Sequence, residues 1–296
     1  MQSAFLEGKQ ETIVAATQRQ DEDQAQRWNG SAGCAWVEAQ RMLDRTLQPF
    51  EDLLLAEVSA SRAQQVLDVG CGTGSTTRAV AQLVGAKGRS VGIDISEQMI
   101  GAARAVAEQE RAPATFICAD AQKHAFESRR FDMIMSRFGV MFFEDSVQAF
   151  ANLRSACEDG ASLRCIVWRS PAENPFMTAA ERAAAPLLPN LPPRRPDAPG
   201  QFGFADDRRV HAILKESGWS EIDIRPIDVT CTLPEQELIR YGTRFGPVGI
   251  ALQEADPQTR TQVAAAVRAA FDPYVHGAEV RFTACCWMVG ARSYLT

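Results

Sequence analysis

Between residues 63 and 170, short apolar runs rich in β-branched residues alternate with stretches of helical spacing. This alternation predicts βαβ units, in which parallel strands are joined by crossover helices. Five strands are predicted, at Gln65 to Val69, Ser90 to Ile95, Thr115 to Ala119, Phe131 to Ser136 and Leu163 to Trp168. Three helices are predicted, at Thr76 to Val84, Glu97 to Glu108 and Val147 to Cys157, with Ser96 and either Asp145 or Ser146 as N-caps.

The rest of the chain adds helices and two more strands. Residues 20 to 58 have helical spacing and form a predicted N-terminal group of helices. The sequence therefore predicts an α/β fold with a seven-stranded, mostly parallel sheet and helices on both faces. After residue 205, we predict a helix from Asp206 or Asp207 to Ser217, strands at Glu221 to Val229 and Val280 to Val289, and helices near Pro234 to Phe245 and Pro257 to Phe271.

Residues 171 to 205 form a proline-rich insertion that interrupts the alternation. Prolines exclude a long regular element here, so the segment is either a linker or a lid. We favour a lid because apolar residues such as Phe176, Leu187 and Phe202 do not suit a solvated linker. The predicted parts are a helical cap (1–60), a sheet core (61–170), the lid (171–205) and a C-terminal completion of the sheet (206–296).

The composition argues against a polymer-binding protein. The formal net charge is −6 and the pI is near 5.3, so there is no general positive field to attract nucleic acid or an anionic bilayer. The eight cysteines include no C-x-x-C pair, so we expect no structural zinc and a reducing compartment. The first 28 residues lack a basic start and an apolar stretch. We therefore expect a cytoplasmic protein that acts on a small molecule.

The most informative motif is Val-Leu-Asp-Val-Gly-Cys-Gly-Thr-Gly at residues 66–74, a buried strand that runs into a glycine-rich turn. Gly70, Gly72 and Gly74 allow a tight turn and a close approach of the backbone to a ligand. A dinucleotide fingerprint requires its third glycine one residue later, where Ser75 stands. Asp68 would repel a pyrophosphate, but it suits a ligand with a cationic amino group.

Two more acidic residues end the next two predicted strands. Asp94 follows Gly74 by twenty positions, where a carboxylate in nucleoside-binding folds accepts the hydroxyl groups of a ribose. The alternative role for Asp94 is to cap the helix that begins near Ser96. Asp120 ends the third strand, where its carboxylate can accept a hydrogen bond from an adenine amino group.

Together, the D-V-G-C-G-T-G turn, the acid in G-I-D-I-S and the A-D-A after strand three resemble the class I S-adenosylmethionine-dependent methyltransferases. The resemblance covers roughly residues 60 to 170. Through S-R-F-G-V-M-F-F at 136–143, it extends to the branch of ubiquinone and menaquinone biosynthesis C-methyltransferases. It implies a Rossmann-like fold, S-adenosyl-L-methionine as cofactor, and cofactor contacts from Asp68, Gly70, Gly72, Gly74, Asp94, Ile95, Asp120, Ala121, Ser136 and Arg137. One departure is Glu158-Asp-Gly-Ala161, where the family often has a P-G-G turn.

Candidates for the acceptor site lie at the carboxyl ends of the strands and on the N-terminal helices. Phe138, Phe142 and Phe143 follow the fourth strand, where open α/β sheets bind ligands, although core packing explains them equally well. Trp28 has an aromatic face that tolerates a sulfonium cation, with plain packing as the alternative. His124 is a candidate general base because it lies four residues after Asp120, but a surface histidine needs no function.

The predicted function is transfer of a methyl group from S-adenosylmethionine to a small molecule by direct displacement, without a covalent enzyme intermediate. Two alternatives remain at this point: a catalytically silent protein that only binds S-adenosylmethionine, and a nicotinamide-dependent oxidoreductase. The sequence identifies neither the acceptor, nor the atom that is methylated, nor the oligomeric state.

The predicted ribose contact can be tested with Asp94→Ala. Loss of a charged hydrogen-bonding partner should weaken S-adenosylmethionine binding by roughly 1.5 to 3 kcal/mol. Calorimetry measures the effect, and an unchanged affinity would refute the assignment. Asp120→Ala should cost less, because only one amino group is involved.

Overall fold

The computed structural model describes residues 24–189, 191 and 198–294, and one sheet runs through them. Its order is β3-β2-β1-β4-β5-β8-β6, and the two-residue strand β7 pairs with β8 outside this order. Strands β1 to β5 are parallel, whereas β8 is antiparallel to β5 and β6. The predicted α/β fold with a seven-stranded, mostly parallel sheet is confirmed, with β7 as a short addition. The strands are β1 (Gln65–Val69), β2 (Arg89–Asp94), β3 (Ala114–Cys118), β4 (Phe131–Arg137), β5 (Cys157–Trp168), β6 (Ser220–Pro234), β7 (Val275–His276) and β8 (Glu279–Ser293).

Helices precede the sheet, cross between its strands and follow it. Within the described residues, none of them is long and apolar enough to cross a bilayer. They are α1 (residues 24–29), α2 (Ser31–Glu38), α3 (Gln40–Ser61), α4 (Ser75–Val84), α5 (Glu97–Glu110), α6 (Ser146–Ser155), α7 (Ala179–Ala184), α8 (Asp207–Glu216), α9 (Leu238–Arg244), α10 (Gly246–Glu254) and α11 (Pro257–Ala270).

The core lies along the parallel strands. Val66, Leu67, Asp68 and Val69 of β1 are all buried, so both faces of this central strand are covered. The edge strand β6 is different, because partly buried and exposed positions alternate along much of its length. The functional groups of the central strands are therefore confined to their ends.

Local capping residues set the helix starts, as the sequence predicts. The Ser96 hydroxyl accepts a hydrogen bond from the Met99 N–H, and Asp145 and Asp206 cap α6 and α8 in the same manner. Where two capping residues were possible, the structure uses Asp145 and Asp206. A side-chain oxygen at each site satisfies a backbone donor that the helix leaves unpaired.

The predictions are less accurate at strand lengths and in the C-terminal part. Strand β5 begins at Cys157, six residues before its predicted start, and contains Gly160 at φ 77° beside a register shift against β4. The E-D-G-A departure is thus part of an irregular strand. The predicted helix from Pro234 to Phe245 is shorter, and Phe245, in an extended conformation, separates it from α10, which was not predicted.

The predicted cap and lid are described in part. Residues 1–23 of the cap and residues 190 and 192–197 of the lid lie outside the described residues. The described lid contains a 3-10 turn (Pro175–Thr178) and α7, so it is not extended chain throughout. One sheet takes strands from both 61–170 and 206–296, and the division at residues 60, 170 and 205 stays a prediction.

The loops after β1 and β4 touch through their backbones. The two strands are neighbours in the sheet, at the point where the strand order reverses. A Cβ on Gly70 would lie 2.5 Å from Gly139 Cα, and a Cβ on Gly139 would lie 2.5 Å from the Val69 carbonyl oxygen. The Ser136 hydroxyl reinforces this contact by donating to the Val69 carbonyl at 2.7 Å and accepting from the Gly139 N–H at 3.1 Å.

Gly139→Ala should destabilise the protein by about 1 to 3 kcal/mol, because its methyl group would meet backbone atoms that have no free space to move into. The matched control is Gly101→Ala in α5, where a Cβ meets no atom within 4 Å. That change should stabilise the protein by about 0.5 to 1 kcal/mol, since alanine favours a helix interior. Urea unfolding measures both. Equal stabilities would contradict the assigned backbone contact.

Candidate active site

A cavity of about 340 Å³ lies at the carboxyl ends of β1, β2 and β4. Polar groups line one end, at the glycine loop and after β2 and β3. Aromatic and aliphatic side chains from α2, α3, the lid and α9 to α11 line the other end. The cavity therefore joins a polar site on the sheet to an apolar chamber beneath the helices.

The glycine loop curves around the end of β1. Gly70, Gly72 and Gly74 have φ values of 67°, 55° and 79°, a backbone conformation that side chains disfavour. The N–H groups of Gly70 and Cys71 donate to the Ile93 carbonyl at 2.8 and 3.1 Å, which ties the loop to β2. Gly70 and Gly72 line the cavity, but Gly74 packs against Phe116 behind it.

Asp94 joins the glycine loop to the end of β2. Its two carboxylate oxygens accept hydrogen bonds from the N–H groups of Gly72 and Ser96, both at 2.9 Å. Burial raises the pKa of Asp94, while these N–H groups oppose the rise. Each carboxylate oxygen has a second lone pair, so Asp94 can accept hydrogen bonds from a ligand as well. The geometry is compatible with both roles predicted for Asp94. Its carboxylate contacts the start of the helix after Ser96, and it can also accept hydrogen bonds from the hydroxyl groups of a ribose.

Asp68 lines the cavity at the end of β1 and is buried. The Thr77 hydroxyl donates to its carboxylate at 2.7 Å. Burial raises the pKa of Asp68 to about 7, although the Thr77 hydrogen bond and the charge of Arg137 act in the opposite direction. A cation bound beside Asp68 would therefore favour its ionised form.

The residues predicted around an adenine also line the cavity. Ile95, Asp120 and Ala121 follow the ends of β2 and β3. One Asp120 oxygen accepts from the Gln122 N–H at 2.9 Å, and the other lies 3.9 Å from the Lys123 ammonium. These contacts fix the Asp120 carboxylate at the rim of the polar end.

Ser136 and Arg137 have different positions. Ser136 is fully buried below the glycine loop and is not among the residues that line the cavity. Arg137 does line it, with its guanidinium 3.7 Å from the carboxylate of Glu51 in α3. Glu51 also accepts a hydrogen bond from the Ser75 hydroxyl at the start of α4. Sequence reasoning missed Glu51, because an acid on an amphipathic helix carries no sign of its partners.

Aromatic side chains close the cavity over the glycine loop. Trp28 packs edge-on against Trp36 and Phe142, with ring centroids 6.1 and 5.2 Å apart. Phe138 has a φ of 66°, uncommon for a bulky residue, and stacks on Trp168 at 4.4 Å. The structure thus brings Trp28, Phe138, Phe142 and Phe143 to the cavity wall, where the sequence suggested an acceptor site.

His124, the candidate general base, lies away from the cavity wall. It is not among the residues that line the cavity, and its ring packs edge-on against Phe126 at 4.7 Å. The cavity lining continues through Gln122 and does not include His124, whose carbonyl accepts a hydrogen bond from the Asn152 amide in α6. Closeness to Asp120 in sequence therefore did not place the imidazole in the site, and we assign it no role as a base.

The chamber includes helices that the sequence gave no reason to place there. Tyr241, Phe245, Val248 and Ile250 of the α9–α10 region line the apolar end, beside Phe176 and Met177 of the lid. A helix near Pro234 to Phe245 was predicted, but the surface that it covers depends on packing between distant segments. Within the described residues, no three His, Cys, Asp or Glu side chains are grouped to hold a metal ion.

Comparisons with known proteins cover the part of the chain that forms the polar end of the cavity. Residues 66–160 match the methyltransferase domain family. The chain is 34% identical over 143 residues to aklanonic acid methyltransferase DauC of Streptomyces sp. strain C5, which covers 46% of this chain and 64% of that protein. It is 28% identical over 138 residues to the ubiquinone/menaquinone biosynthesis C-methyltransferase UbiE of Stutzerimonas stutzeri, covering 46% and 54%.

The fold agrees with these matches. The crystal structure of magnesium protoporphyrin IX methyltransferase (ChlM) from Synechocystis PCC 6803 with bound SAH has a TM-score of 0.53 and 18% identity, and covers 71% of this chain and 93% of that one. The match spans less than two thirds of the DauC and UbiE proteins. The predicted family resemblance is confirmed: residues 66–160 match the methyltransferase domain family, and the chain is similar to S-adenosylmethionine-dependent methyltransferases of the quinone-methyltransferase type.

Proposed function

We propose that this protein transfers the methyl group of S-adenosylmethionine to a small, largely apolar acceptor. The observation that carries the proposal is the single cavity that joins the glycine loop to an aromatic chamber. A methyl donor at the polar end and an acceptor in the chamber would meet without crossing solvent. This arrangement supports methyl transfer over a silent binding protein or a nicotinamide-dependent oxidoreductase.

The residues at the polar end fit S-adenosylmethionine, which supplies an activated methyl group on a sulfonium. Gly70 and Gly72 leave the loop without side chains, so their backbone can contact the methionine part. Asp94 keeps acceptor capacity for the ribose hydroxyls, with Ile95 beside it. Asp120 and Ala121 are assigned to the adenine, and Arg137 to the methionine end. Ser136 and Gly74 support the loop from behind.

The chamber supports a small acceptor. Its walls come from α2, α3, the lid and the C-terminal helices. Aromatic walls favour a planar or apolar compound. The proteins DauC and UbiE carry names of enzymes that methylate small molecules. The scattered, unpaired cysteines also fit our expectation of a cytoplasmic protein.

The protein contributes chiefly by placement and by exclusion of water. The glycine loop and the adjoining apolar chamber would align the two reactants and lower the cost of desolvation. Cys71 is not suited to act as a nucleophile, because burial and the nearby Asp94 and Asp68 charges raise the pKa of its thiol well above the usual range. This supports direct displacement without a covalent enzyme intermediate.

The proposal is tested with labelled S-adenosylmethionine and a panel of phenols, naphthols, quinols and aromatic carboxylic acids. We expect label to enter a small-molecule product, and Asp94→Ala to reduce the rate at subsaturating cofactor. Asp52→Asn, an exposed change in α3, is the control and should behave as the wild type. Failure to bind S-adenosylhomocysteine, or label transferred to protein or nucleic acid instead, would overturn the proposal.

Asp68 predicts a specific pH dependence. Its pKa of about 7 lies above the ordinary value, so the folded protein holds this proton at acid pH, and ionisation between pH 4 and 7 costs stability. A ligand ammonium beside Asp68 favours the ionised form. Affinity for S-adenosylhomocysteine should therefore rise roughly five- to tenfold from pH 6 to pH 7.5, with proton release on binding.

Calorimetry in two buffers of different ionisation enthalpy measures both the affinity and the released proton. Asp68→Asn should bind more weakly and lose most of the pH dependence, while Asp52→Asn should keep it. If Asp68→Asn kept the same pH dependence as the wild type, the assignment of Asp68 to the amino group would be wrong.

A further inference from the structure

The apolar chamber contains a tyrosine whose hydroxyl has no partner among the described residues. Tyr241 of α9 lines the cavity and lies among the rings of Phe245, Phe271 and Phe282, with centroids 6.2 to 6.3 Å away. Within the described part of the chain, its phenol makes no hydrogen bond. A phenylalanine would make the same ring contacts, so packing alone does not explain the hydroxyl.

The surroundings of Tyr241 keep its phenol protonated. Burial raises the pKa of Tyr241 well above its ordinary value, and the neighbouring Cys231 acts in the same direction. The hydroxyl therefore stays protonated at neutral pH and can donate a hydrogen bond. This donor has no acceptor among the described residues, and an oxygen of a ligand bound in the cavity would supply one.

The helix that carries Tyr241 is held in place from two sides. Arg240 donates to the Glu38 carbonyl at 2.8 Å, and Arg244 pairs with the Glu38 carboxylate, so α9 is tied to the end of α2. On its other side, a Cβ on Gly242 would lie 2.5 Å from a Val267 methyl group, so α9 packs closely on α11. These contacts position the phenol before any ligand binds, which reduces the entropic cost of using it.

We propose that Tyr241 is a specificity-determining residue of the acceptor site, whose hydroxyl donates a hydrogen bond to an oxygen of the acceptor. This inference rests on the proposed function and adds to it a requirement on the acceptor. The acceptor is an apolar ring compound that carries a carbonyl, ether or hydroxyl oxygen on the side facing α9. A site built around such a donor discriminates against a pure hydrocarbon, because the phenol would then stay unpaired.

The test uses 1-tetralone and tetralin, two bicyclic compounds of similar shape that differ by one carbonyl oxygen. Both are titrated by ligand-observed NMR into protein saturated with S-adenosylhomocysteine. Tyr241→Phe should weaken tetralone binding about tenfold and change tetralin binding by less than about twofold. Tyr274→Phe is the matched control, because Tyr274 also contacts Phe271 but is not among the residues that line the cavity, and it should change neither affinity.

Thermal stability gives a second readout. Removal of a hydroxyl without a partner should leave the Tm of Tyr241→Phe unchanged or slightly higher. A Tm that falls by several degrees would show that the hydroxyl has a structural partner, and would overturn the inference. Equal losses for the two probes, no loss for tetralone, or no binding of tetralone to the wild type would overturn it as well. If S-adenosylhomocysteine binds in these cases, the proposed function stands and only the role of Tyr241 is lost; if it does not bind, both fail.

Discussion

The contact between the backbones of Gly70 and Gly139 is the constraint on which the site depends. Neither position has space for a methyl group, and the Ser136 hydroxyl holds the two loops together from below. Because β1 and β4 are neighbours where the strand order reverses, this contact brings the end of the cofactor loop against the start of the aromatic wall. The polar and apolar ends of the cavity meet there, and a wider separation of the loops would open the chamber to solvent.

Burial of two acidic side chains beside the glycine loop also determines their protonation. Asp68 and Asp94 lie close to each other at the ends of two adjacent strands, and burial raises the pKa of both carboxyls. Different groups compensate each acid: the Thr77 hydroxyl for Asp68, and two backbone N–H groups for Asp94. Arg137 supplies the positive charge nearby and is itself paired with Glu51. We expect a pH dependence at Asp68, because its pKa of about 7 lies within the range in which binding can be measured.

The parts of the fold that local rules determine could be predicted from the sequence. The β1 strand, the glycine turn and the caps at Ser96, Asp145 and Asp206 follow from a few adjacent residues each. Glu51, Gly139 and Tyr241 were missed, because their roles depend on contacts across 86, 69 and 41 positions, to Arg137, Gly70 and Phe282. The proposal for His124 depended on its separation of only four residues from Asp120, and His124 is not among the residues that line the cavity. Strands β5, β6 and β8 were placed correctly but too short, because pairing with one another extends them beyond their apolar runs.

The two ends of the cavity are built differently, and this has a consequence for specificity. The polar end comes mainly from loops that follow β1 to β4, whose geometry is fixed by the sheet and by backbone hydrogen bonds. The apolar end comes from α2, α3, the lid and α9 to α11, which contact one another through side chains. A side-chain change in α9 alters the chamber without a direct contact to the Gly70–Gly139 crossing, whereas a change at Gly139 disturbs the loop itself. The side chains that would select the acceptor make few of the contacts that hold the sheet together. Acceptor preference can therefore change in this architecture while the cofactor loop stays constant.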